Sequence, residues 1–200
     1  MNPVISYRDF MQYMARSSNN HSQLLPVVLI KPSTLLYLNR EYRLDHLFDY
    51  FDRRTGNEVQ FFLPGYSHYP STSFLQSSSI LPEIKPYNQN AVALNLTRLK
   101  KVYYSDNDFL NFVEILEQNA QNFRYYGNTE LLFIKYIPGR DSALGRFDFS
   151  NIHRYNLSQI YYDHQEHFYH VERILEEVLH VIRSEHNETE LIALINNILD

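Results

Sequence analysis

The chain has 200 residues, 44% of them apolar, and a formal charge of −5. It is long enough to bury a full core without staples, and its acidic balance argues against a phosphate-neutralising basic face. The absence of cysteine rules out disulfides, thiolate metal sites and thiol nucleophiles.

Along the chain, Tyr7, Phe10, Met11 and Met14 follow helical spacing, and Ser6 with Asp9 reads as a capping box. Leu24 to Ile30 is an unbroken apolar run of strand length, with Pro26 near its start. A run without alternation implies burial on both faces, as in an interior strand. Leu44, Leu47, Phe48 and Phe51 mark one face of a helix spanning Arg40 to Arg54, which Gly56 ends. Glu58 to Leu63 is a second strand. Strand, helix, strand is the βαβ order, which implies a parallel pair.

Residues 64–90 hold four Pro and the Ser77 to Ser79 cluster. A long loop of this kind inside a compact domain is typically functional: a lid, an interface or a mobile segment. Ala91 to Leu96 and Lys101 to Tyr104 read as further strands. Ser105 and Asp108 supply a cap for a helix whose face is Phe109, Phe112, Val113 and Leu116. Glu130 to Tyr136 is a second unbroken apolar run and a second interior strand. Arg146 to Phe149 and Ile152 to Tyr155 alternate, as short edge strands do. From about residue 160 the pattern is helical, with Ile174, Leu175, Val178 and Ile182 on one face and Leu191, Leu194, Ile195 and Ile198 on another.

These elements predict one α/β domain over residues 1–200 with a helical C-terminal segment. The expected architecture is a central, mostly parallel sheet of about four to six strands with helices on both faces. The βαβ start and the size resemble, in layout and not in motif, TIR-like and related Rossmann-like domains of bacterial signalling and defence. No pattern around Glu114 or Glu117 matches the catalytic Glu of NAD-cleaving TIR domains, so no residue is carried over.

The five glycines do not form a dinucleotide-binding turn or a Walker loop, and no Gly-x-Ser-x-Gly elbow is present. Three regions hold chemistry-bearing side chains. In a parallel sheet, ligands sit beyond the carboxyl ends of the strands. That rule gathers Lys31, Ser33, Tyr66, His68, Asp106 and Lys135 into one ligand-binding cleft suited to a phosphorylated or ribosyl ligand. The local alternative gives Ser105 and Asp108 a capping role. The second region contains His164, His167, His170 and a Glu177–His180 pair. Its spacing is not that of the known His-Glu zinc helices, so no metal is expected there. The third, Phe149 to Asn156, holds Ser, Asn, His and Arg side chains and reads as a polar turn.

Seventeen Tyr and thirteen Phe with no Trp suit half-buried positions and interface centres. With no catalytic motif, the leading expectation is an interaction or regulatory subunit of a bacterial multiprotein system. It has a protein partner or self-associates, and no cofactor. The alternative is a small enzyme or sensor acting on a nucleotide-type ligand such as NAD at the strand ends. No segment approaches the roughly 18 apolar residues of a membrane span, and no export signal is recognised. A cytoplasmic location without nucleic acid or membrane is therefore expected.

Overall fold

A computed structural model of the chain describes residues 2–4, 6–16, 21–31, 61–67, 91–94, 102–139, 145–164, 171–185 and 187–199. Its elements are β1 (Asn2–Val4), α1 (Tyr7–Arg16), β2 (Gln23–Leu29), β3 (Phe62–Pro64), β4 (Tyr66–Ser67), β5 (Ala91–Leu94), β6 (Val102–Ser105), α2 (Asp106–Asn119), β7 (Glu130–Ile137), β8 (Arg146–Asn156), α3 (Leu157–Asp163), α4 (Val171–Ser184) and α5 (Glu188–Leu199). The expected helix over 40–54, most of the 64–90 loop, and His167 with His170 lie outside the described residues.

Local chemistry starts the helices where the sequence indicates. The Asp9 backbone N–H donates to Ser6 Oγ at 3.2 Å, and Ser6 Oγ donates to Asp9 Oδ2 at 2.7 Å. Ser105 caps α2 by accepting from the Asp108 N–H at 3.3 Å. Asn156 caps α3, accepting from the Gln159 N–H at 3.0 Å. Each cap satisfies a first-turn donor that has no partner within the helix.

The main sheet runs β1-β3-β2-β7-β8, and a separate sheet runs β4-β6-β5. Thus β2 and β7, the two unbroken apolar runs, are interior strands of one sheet. The expected mostly parallel sheet is not what forms. β3 is parallel to β1 and to β2, the latter through Val27 opposite Phe62. β7, however, runs antiparallel to β2 from Gln23↔Tyr136 to Leu29↔Glu130, and β8 runs antiparallel to β7. An apolar run reports that both faces are covered; it does not report strand direction.

Both faces are indeed covered. On one side Phe10 of α1 lies 4.4 Å from the Phe62 ring, 4.6 Å from Phe147 and 6.0 Å from Phe112 of α2. On the other, Lys135 Nζ meets Glu188 Oε2 of α5 at 2.6 Å, and Tyr155 donates to Asn196 Oδ1 at 2.6 Å. Strand alternation accounts for the split. Tyr136 points toward Phe147 and its neighbour Lys135 points away. Ile174, Leu175 and Val178 of α4 are fully buried, as their common helix face requires.

Two further differences concern the strands outside this centre. β5 and β6 do not extend the main sheet. They join β4 in the small antiparallel sheet. The chain passes from one sheet to the other at Gly65, whose φ of +81° is open to glycine and strained for other residues. There a Cβ would stand 2.8 Å from the Phe109 Cβ. The two short edge strands expected over 146–155 form one strand, β8, whose pairing with β7 is interrupted between Phe133 and Lys135. Across that interruption, β7 advances from Phe133 to Lys135 while its partners on β8 step back from His153 to Asp148. Residues 149–152 are therefore displaced from the ladder. Among the described residues, no helix is long and apolar enough to cross a membrane.

Candidate functional site

The antiparallel ladder decides which strand ends meet. Leu29, the last residue of β2, pairs with Glu130, the first of β7, and Glu130 pairs with Asn156, the last of β8. Lys31, Tyr66, Glu130 and Arg154 therefore share one end of the main sheet. Lys135 is opposite Leu24 near the start of β2, toward the other end, where it is ion-paired with Glu188. Lys135 would join the expected cleft only if β7 ran parallel to β2, and it runs antiparallel.

Of the residues expected at the strand ends, Lys31 and Asp106 are brought together. Lys31 Nζ lies 3.2 Å from Asp106 Oδ1 and 5.3 Å from the Phe109 ring centroid. Tyr104 donates to the same carboxylate oxygen at 3.1 Å. Tyr66 donates to the Ile30 carbonyl at 3.0 Å, and its ring lies 4.9 Å from that of Tyr104. Ser33 and His68 lie outside the described residues.

Beside this group is a second, more deeply set one. Glu130 is fully buried, and its Oε1 accepts from Arg154 Nη2 at 2.5 Å. The guanidinium lies over two rings, 5.1 Å from Phe123 and 5.8 Å from Tyr126. Three buried oxygens have no hydrogen-bond partner among the described residues: Tyr125 Oη, Thr129 Oγ1 and Glu130 Oε2. Such groups are costly to bury. The backbone around them is nevertheless tied down. The Thr129 N–H donates to Ser158 Oγ at 3.2 Å, the Leu157 N–H donates to the Thr129 carbonyl at 2.9 Å, and the Tyr125 N–H donates to Glu117 Oε1 at 2.8 Å.

Burial pushes the Glu130 carboxyl above the usual carboxylate range, against the opposing pull of the Arg154 hydrogen bond and charge. Burial is also the main reason that Tyr66, Tyr104 and Tyr125 are raised. The charge of Asp106 adds to the rise at Tyr104, and those of Glu130 and then Asp106 add to it at Tyr125. Tyr125 thus feels both groups, which makes them one electrostatic neighbourhood. These phenols stay protonated at neutral pH, and those of Tyr66 and Tyr104 act as hydrogen-bond donors.

A cavity of about 520 Å³ opens beside Arg154, lined among others by Asn119, Asn122, Phe123, Phe149 and Asn151. Its wall combines the C-terminal end of α2 with residues 149–152, which are displaced from the β7–β8 ladder. The segment 149–156 was read from the sequence as a polar turn. It forms part of β8 instead and carries one wall of this cavity. Glu130 was not expected at a site at all. The available signal was an acidic residue heading an apolar strand, which needs a partner when buried.

Among the described residues, no three His, Asp or Glu side chains are grouped to hold a metal ion. His164 caps the C-terminal end of α3, its N–H donating to the Ile160 carbonyl at 3.0 Å. The chain matches no protein-family model, no curated protein and no solved structure in comparisons with each.

Proposed function

We propose that this chain is a small-ligand-binding domain, a sensor or an enzyme, whose ligand is held between the C-terminal end of α2 and residues 149–154 of β8. The observation that carries this reading is the cavity of about 520 Å³ with Arg154 on its wall. That volume falls within the usual range of small-molecule sites, about 300–1,000 Å³. The carboxylate that holds Arg154 supports it, because Glu130 is buried with its Oε2 unpartnered among the described residues and such groups concentrate where function outweighs stability. The interaction-subunit reading draws less support. The exposed large apolar side chains among the described residues are Leu110, Tyr126, Tyr162 and Leu194, from three helices and the connection between α2 and β7. A nucleotide ligand draws less support, because Lys31 and Lys135 are paired with Asp106 and Glu188 and neither lines the cavity.

Thermal-shift screening of the purified chain against sugars, nucleotides including NAD, and organic acids tests the reading. The expected result is stabilisation by one chemical class, lost in Arg154→Lys. Stabilisation that survives Arg154→Lys and Asn151→Ala unchanged would place the ligand elsewhere and overturn it.

A further inference from the structure

Resting on that reading, we infer that the cavity recognises the carboxylate of a small organic acid, with Arg154 as its anchor and side-chain amides holding the polar remainder. Among the described residues, Arg154 is the sole charged side chain on the cavity wall. Its counter-ion Glu130 has no exposed surface, whereas about 29% of the Arg154 side chain is exposed. The wall therefore offers a positive charge whose balancing carboxylate lies beneath the surface.

Glu130 engages Nη2 of the guanidinium, and the rings of Phe123 and Tyr126 lie within cation–π distance of the group. The remaining N–H groups form a planar donor edge, which matches a planar carboxylate in two parallel hydrogen bonds. Phosphate fits less well for two reasons. No lysine or second arginine lines the cavity among the described residues. In addition, the helix end on its wall, around Asn119 and Ala120, is the C-terminal end of α2, whose partial negative charge opposes a dianion more than a monoanion. Asn122 and Asn151 each offer a donor and an acceptor, which suits an amide or hydroxyl on the body of the acid. Phe149 supplies an apolar surface beside them.

The test uses the full chain and nitrogen-resolved NMR of the arginine Nε–H and the asparagine side-chain amides. The probes are N-acetylglycine and N-acetylasparagine, their primary amides, inorganic phosphate and AMP. The acids are expected to move the Arg154 and Asn151 signals and to bind about tenfold or more tightly than their amides, the loss that follows removal of a charge-assisted pair. Arg154→Lys keeps the charge without the fork and should lose a similar factor. Asn151→Ala, on an exposed strand position, should weaken the acids while leaving the rest of the spectrum unchanged. Equal binding of acid and amide, or tighter binding of phosphate or AMP at these same signals, would overturn the carboxylate assignment and leave a ligand site standing. If no probe of any class moves Arg154 or Asn151, both the assignment and the site fall.

Discussion

Leu29 and Glu130 are opposite one another across the β2–β7 ladder, so the head of one interior strand stands beside the tail of the other. That single pairing puts a carboxylate inside the protein at the end where the chain emerges toward Lys31. It also sets the pH behaviour of the fold.

Glu130 is held above the ordinary glutamate value of about 4.3 by burial. A carboxyl raised in this way supports the folded state fully below its unfolded value. The support is lost as pH rises through the folded value. The parent chain should therefore lose stability relative to Glu130→Gln as pH climbs from about 4 toward neutrality. Urea midpoints of both proteins over that range check it. A parent that gains on the variant with rising pH would show that the Arg154 pairing outweighs burial.

Removing Arg154 alone leaves a buried, unpaired carboxylate. Arg154→Met should cost about 3 kcal/mol or more at neutral pH, and adding Glu130→Gln should recover much of that loss. The Lys31–Asp106 pair is about a third exposed on each side, so Lys31→Met should cost at most about 1 kcal/mol. Chemical denaturation of the four proteins decides. Equal costs for the two cations would contradict the difference in burial.

Tyr66, Tyr104 and Tyr125 are all raised above the ordinary tyrosine value. Their contribution to stability is present at neutral pH and is lost as pH rises above the unfolded value of about 10. Absorbance titration at tyrosinate wavelengths should show exposed tyrosines ionising first and a late group appearing only with alkaline unfolding. Phenylalanine at position 104 should shrink that late group. Complete ionisation of every tyrosine in the folded protein would refute the packing around Tyr104.

Phe10 joins α1 to β3, β8 and α2 through its ring contacts and has no exposed surface. Phe10→Ala should cost about 3–5 kcal/mol. Gly65→Ala should cost about 1 kcal/mol or more, because its φ is positive and Phe109 occupies the space. Calorimetry on both variants tests whether these two joints carry the assembly of the sheets.

Much of the local structure was legible in the sequence because its causes are local. Ser6, Ser105 and the apolar faces of α2 and α4 report their roles through near neighbours. The interior position of β2 and β7 was legible for the same reason. Strand direction was not, since Leu131 to Ile134 would read identically in either orientation. That ambiguity misplaced Lys135, hid Glu130 and left the Glu130–Arg154 pairing invisible. Lys31 and Asp106 do meet, but they follow strands of two different sheets, β2 and β6, an arrangement the sequence pattern does not report.

The β7–β8 hairpin also has a consequence for how the chain acquires its shape. Its partners, from Ile137↔Arg146 outward to Glu130↔Asn156, are close in sequence, whereas β1 must find β3 across the interval from Asn2 to Phe62. Loop closure costs less entropy for the hairpin, so it is expected to form early and present β7 as the template for β2. Mutational φ-values near one in β7–β8 and near zero in β1–β3 would mark that order. The Arg154 anchor would then be assembled before the Lys31–Asp106 bridge, which must wait for distant segments of the chain to meet.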